Sequence, residues 1–291
     1  NGLPVFPLHF ANDDDADRKL DKDSRLTFTA PAAGAYLVKV TDVRGFTGEM
    51  HTYTLTVREP RPDFDVKIIT MTPKIPAGSG QRLKFSVNRI DGFDGDVHIE
   101  IAGLPPGFSA SSPVVVAAGH AETNSVLTCI KDATAPTKED WDRVTVQATG
   151  TIQGRPVTKS IGTLGEIKLE KAPPFIVTLI PDDTRHTSAD GGLIIRPGTT
   201  ITAKIVVERN GFEGDVKFDV DNLPHGIIVD NIGLSGVLVR AKETERQIFL
   251  TARPWVPETS RFIHAVAQVQ GNQASRPLIL QVTGSGTVAA K

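Results

Sequence analysis

Apolar side chains recur at every second position along most of the chain: Leu83/Phe85/Val87, Val97/Ile99/Ile101, Val144/Val146/Ala148, Ile201/Ala203/Ile205/Val207 and Val216/Phe218/Val220, with polar or small residues between. Successive side chains of a strand point to opposite faces, so this alternation predicts strands with one buried and one wet face. Glycine and proline clusters cut the chain at short intervals, as at Gly78-Ser79-Gly80, Leu104-Pro105-Pro106-Gly107, Arg196-Pro197-Gly198 and Leu223-Pro224-His225-Gly226. No window of eleven or more residues carries a helical stripe. The expected fold class is all-β, built as sandwiches.

Two proline-rich stretches, Glu59-Pro60-Arg61-Pro62 and Lys171-Ala172-Pro173-Pro174, read as linkers, because proline removes a ladder donor and keeps its predecessor extended. The segments that follow them repeat one another. Gly92-Phe93-Asp94-Gly95-Asp96-Val97 returns as Gly211-Phe212-Glu213-Gly214-Asp215-Val216, an offset of 119 residues from 92 to 211, and Leu104-Pro105 and Gly107 return as Leu223-Pro224 and Gly226. Arg89 matches Arg209, and Arg155-Pro156 matches Arg276-Pro277, with the offset drifting by a residue at loops. The expected organisation is a β segment at 1–60, two copies of one domain at 61–171 and 172–283, and a flexible tail at 284–291.

In the Gly-Phe-x-Gly-Asp turn the glycines can adopt positive φ and the aromatic can fold over the sandwich end, with the acidic residues solvating the turn. The Leu-Pro-x-Gly that follows redirects the chain, with its leucine expected to be buried. Together these residues resemble the immunoglobulin-like repeats of large exported proteins from planctomycetes and related soil bacteria, over about 62–282.

The first segment is similar to something else. Its acidic loop, then Leu26-Thr27-Phe28-Thr29-Ala30-Pro31, Gly34-Ala35-Tyr36-Leu37-Val38 and Tyr53-Thr54-Leu55, follow in order the second half of the bacterial pre-peptidase C-terminal domain, a small sandwich appended to secreted proteases. The resemblance implies tandem immunoglobulin-like sandwiches preceded by a partial sandwich, with the early strands of that partial sandwich upstream of Asn1. It also implies a non-catalytic accessory module and an extracytoplasmic location.

Charge narrows the partners. With 32 basic and 34 acidic residues spread along 291, the chain has no footprint for nucleic acid or anionic lipid. Its apolar runs, such as Val114–Ala118 and Ile176–Ile180, are far short of the ~20 residues of a membrane span. Asn1 in place of Met, with no basic start and apolar run after it, reads as a processed piece. The single cysteine, Cys129, excludes an intrachain disulfide and reads as a buried, inert thiol in a strand.

Candidate chemistry is sparse. Gly-x-Ser-x-Gly, His-Glu-x-x-His, paired Cys-x-x-Cys and Gly-x-x-x-x-Gly-Lys do not occur, and seven histidines are scattered without evident partners, so neither a hydrolase nor a zinc or nucleotide site is indicated. Six carboxylates fall between Asp13 and Asp23, and Asp13, Asp15 and Asp17 are the candidate ligands for calcium, against the reading of a solvated loop. Trp141 and Trp255 are the candidate aromatic platforms for a ligand such as a sugar, whereas Tyr36 and Tyr53 sit in alternating segments and read as core. The function expected is a structural or interaction module without catalysis or a required cofactor, whose partners are other domains of the same precursor. Two alternatives stay open, a module binding cell-surface polysaccharide or protein and the accessory region of a secreted hydrolase.

Overall fold

The computed structural model describes residues 10–13, 24–230, 237–269 and 273–284. They fall into two units, Asn1–Asp65 with Asn88–Phe93, and Val66–Val87 with Asp94–Lys291.

The sequence predicts a β segment over 1–60, whereas no strand forms among the described residues before Asp63. Alternation alone does not make a strand; a neighbour must complete the hydrogen-bond ladder and a core must take the apolar face. Among the described residues neither is present, and Leu37, Val38, Leu55 and Val57 are exposed. The two tyrosines read as core are exposed as well, Tyr53 at 71%. Local contacts remain: the Tyr36 hydroxyl donates to the Ala32 carbonyl at 2.6 Å, and the Phe28 ring lies 5.2 Å from Phe10 and 5.8 Å from Tyr36. Asp91 gathers two arginine side chains of this unit. Its buried carboxylate, at a residue with φ of 53°, accepts from the Arg25 and Arg58 guanidiniums and, at 2.8 Å, from the Arg61 backbone N–H.

The first repeat runs through β1 (Asp63–Ile68), β2 (Lys74–Pro76), β3 (Gly80–Ile90), β4 (Val97–Ala102), β5 (Phe108–Ala110), β6 (Val114–Val116), β7 (Glu122–Cys129), the one-turn helix α1 (Lys138–Asp142), β8 (Thr145–Ile152), β9 (Arg155–Gly162) and β10 (Lys168–Glu170). Its strands pair in the orders β1-β3-β7-β5 and β6-β4-β8-β9, with β10 parallel to β2. The second repeat runs through β11 (Phe175–Pro181), β12 (Leu193–Ile195), β13 (Thr200–Arg209), β14 (Val216–Asp221), β15 (Ile227–Asp230), β16 (Val237–Val239), β17 (Glu245–Ala252), β18 (Thr259–Ala267), β19 (Gln273–Ala274) and β20 (Leu278–Val282). Its orders are β11-β13-β17-β15 and β16-β14-β18-β20-β12. The orders β1-β3-β7-β5 and β6-β4-β8-β9 of the first repeat recur as β11-β13-β17-β15 and β16-β14-β18-β20 in the second, so the chain carries two immunoglobulin-like β-sandwiches in tandem.

The alternating positions are the core positions. Leu83, Phe85, Val97 and Ile99 are fully buried in the first repeat, and Ile205, Val216, Phe218 and Leu250 in the second, where the buried residues of both sheets form one cluster. Alternation breaks in β7 and at the end of β18, which are buried on both faces.

Candidate functional site

The repeated turns are structural. Gly92 and Gly211 take φ of 78° and 97°, and the aromatic after each packs on a fully buried phenylalanine of its repeat's first strand, Phe93 on Phe64 at 5.2 Å and Phe212 on Phe175 at 5.1 Å. Phe93 is buried and Phe212 half-buried. The turn aspartates are more than solvation, contrary to expectation. Asp96 Oδ1 accepts the Ala118 N–H and Asp215 Oδ1 accepts the Ala241 N–H, each at 2.7 Å, so each tethers the loop that follows the neighbouring edge strand. In Leu-Pro-x-Gly the proline, not the leucine, is the buried residue: Pro105 and Pro224 are buried and Leu104 and Leu223 half-buried. The proline carbonyl accepts the N–H three residues on, from Phe108 at 3.0 Å and from Ile227 at 2.9 Å, which fixes the turn.

The best-organised polar site lies between the two repeats. The short strand β19 pairs back onto β18 at Val266↔Ala274 and outward onto β3 of the first repeat at Ala274↔Gly80 and Gln273↔Gln81. One ten-stranded sheet therefore runs through both sandwiches. Gly80 is required by this approach, because a Cβ there would lie 2.8 Å from the Ala274 carbonyl oxygen and 2.8 Å from Thr128 Cγ2. Val126, Val266 and Ala274 form a buried apolar cluster of their own at the contact.

Around that cluster the second repeat replaces plain surface with polar anchors. In the first repeat Ala102 faces Thr145 across β4 and β8, and both are exposed. At the corresponding pair of β14 and β18, Asp221 faces His264, and His264 is fully buried. Asp221 Oδ2 accepts from Arg82 Nη1 and from Asn124 Nδ2, each at 3.2 Å, and His264 Nε2 lies 3.5 Å away. At that length the contact is longer than a good hydrogen bond. Burial works against the charge on Asp221, but His264 and Arg82 outweigh it and hold the carboxyl below its usual range. Next to it Asn222, with φ of 64°, stands where the first repeat has Gly103 with φ of 73°. Its side-chain oxygen accepts from the Asn124 N–H at 3.2 Å and the Thr123 hydroxyl at 3.3 Å, and its amide donates to the Asn124 carbonyl. Ser79 donates to Gln273 Oε1 at 3.4 Å, completing the seam.

The residues singled out from the sequence lie elsewhere. Asp13 is exposed, whereas Asp15 and Asp17 lie outside the described residues, among which no group of three or more His, Cys, Asp or Glu gathers. Trp141 is half-buried on α1, whose N-terminus is capped by Thr137 and Asp140. Trp255 is 49% exposed and lies 5.1 Å from the His225 ring, which in turn is 5.9 Å from His120 of the first repeat. Cys129 is buried, with Sγ donating to the Pro76 carbonyl at 3.4 Å, and burial pushes its thiol pKa up, so it is a packing residue. None of the junction residues was singled out. The available signal was the outward-facing Val266, where its counterpart Gln147 is exposed.

No family model matches the sequence, and no curated protein matches it. Among solved structures the chain is similar to domains 4 and 5 of the S-layer protein SbsC, at 15% identity and a TM-score of 0.25 over 61% of this chain and 75% of that one. It is similar to the D0-D1 domain of intimin at 9% identity and 0.26, over 75% and 98%, and to the fibronectin(III)-like modules of Clostridium thermocellum CbhA at 12% and 0.21, over 76% and 94%. Similarity at this level leaves the fold assignment resting on the strand order itself. No helix among the described residues is long and apolar enough to cross a membrane.

Proposed function

We propose that the two repeats form a stiff, non-catalytic spacer of a larger exported protein, fixing the direction in which neighbouring domains are presented. One observation carries this reading: β19 joins the sandwiches into a continuous sheet, backed by half-buried polar contacts at Asp221 and Asn222 and a buried one at Gln273. Sandwiches joined by a linker alone move independently, whereas ladder bonds between them resist bending. An extracytoplasmic setting and partnership with other domains of the same polypeptide belong to this proposal. Its test is a distance distribution between spin labels at Glu139 and Arg246, one exposed site in each repeat. Cys129, being buried, does not compete for label. A single narrow distribution supports a stiff pair; a broad one overturns it.

A further inference from the structure

We infer that His120 and His225 form a second, exposed site that bridges the repeats and binds a borderline divalent metal ion of the copper or zinc class. His120 lies in the loop between β6 and β7 of the first repeat, and His225 in the loop between β14 and β15 of the second. Their rings are 5.9 Å apart, centroid to centroid, at 66°. Both side chains are exposed, so converging on one ion requires no repacking.

The chemistry of each residue favours nitrogen ligation. His120 Nδ1 is 3.1 Å from the Ala118 carbonyl oxygen, and since a carbonyl can only accept, this contact favours the neutral tautomer with its proton on Nδ1 and its lone pair on Nε2. A backbone carbonyl holding the non-ligating nitrogen is the usual orientation device of a metal-binding histidine. His225 stands where the first repeat has Pro106, in a turn pinned by buried Pro224 and by Gly226, whose φ is 88°. That turn is packed against Trp255: a Cβ on Gly226 would fall 2.5 Å from Trp255 Cη2. The loop therefore presents His225 from a fixed base. Two imidazole nitrogens suit copper or zinc and not a hard, oxygen-seeking cation, with water completing the coordination. This inference stands apart from the spacer reading, because binding is read at one indole and not by motion between the repeats.

The chain has two tryptophans, so Trp141→Phe leaves Trp255 as the sole indole, 5.1 Å from the His225 ring. Titration of that protein with Cu²⁺ at pH 7.5 is expected to quench Trp255 fluorescence saturably at one equivalent, with half-saturation below about 100 μM. His120→Ala and His225→Ala should each weaken it about tenfold or more, and His98→Ala should leave it unchanged. Quenching that survives both substitutions overturns the site. Quenching lost with His225→Ala but retained with His120→Ala overturns the bridge.

Discussion

Phe93 and Phe212 occupy the same turn, and their unequal burial gives them unequal weight. Phe93 is buried against Phe64, with the Arg89 guanidinium 5.4 Å from its ring centroid, so Phe93→Ala should destabilise its repeat by roughly 3 kcal/mol in denaturant titration. Half-buried Phe212 should cost about half as much on the same change. Asp91 supplies a residue-scale prediction in pH. Its carboxyl is lowered to about 2 by the Arg58 hydrogen bond, the Arg61 N–H and the charge of Arg25. A depressed folded pKa means that the stability it contributes is full above the unfolded value near ~3.9 and is lost as pH falls through about 2. Hydrogen exchange at the Arg61 amide, which donates to Asp91, should keep its protection at pH 5 and lose it toward pH 2, and Asp91→Asn should remove that dependence.

At the scale of elements, legibility followed whether a side chain's partner lies in the same sandwich. Ile201/Ala203/Ile205/Val207 and Val216/Phe218 bury against their own repeat, so period-two alternation found β13 and β14 directly. Residues 34–40 alternate equally well and form no strand, because alternation reports a preference and not the presence of a neighbour. The junction fails in the opposite way: Asp221, Asn222 and His264 read as polar surface because the face that covers them belongs to the other repeat. Only adjacent apolar residues such as Val126-Leu127, and Val266 between Ala265 and Ala267, break the alternation and mark strands covered on both sides. Asp221→Asn tests the seam at this scale. Asn offers Arg82 no countercharge, so a loss of roughly 1–3 kcal/mol is expected, with the partly exposed Arg82 setting the weaker end. The loss should be largest above pH ~4 and shrink as acid protonates the parent carboxylate, whose pKa is lowered in the fold. Equal stability of parent and variant at pH 7 would show that the contact carries no net energy.

For the whole molecule the seam decides whether the repeats melt as one body or two. Interfaces between domains of one chain are ordinarily loose, and loosely joined domains unfold in separate transitions. Here ladder bonds at Gly80 and Gln81, the Val126–Val266–Ala274 cluster and the Asp221 network would all be broken if either sandwich unfolded alone. A variant that opens the seam without touching either core follows from the repeat itself. Asp221→Ala, His264→Thr and Val266→Gln together install the residues that the first repeat carries, at the paired positions Ala102, Thr145 and Gln147, on an outward face. The inward Ile263, Ala265 and Ala267 are left in the core. Calorimetry of the parent should show the two repeats melting in one transition, with the measured enthalpy matching the van't Hoff value, and the triple variant should show two. Two independent transitions in the parent, or one transition in the variant, would mean that the shared sheet does not couple the repeats.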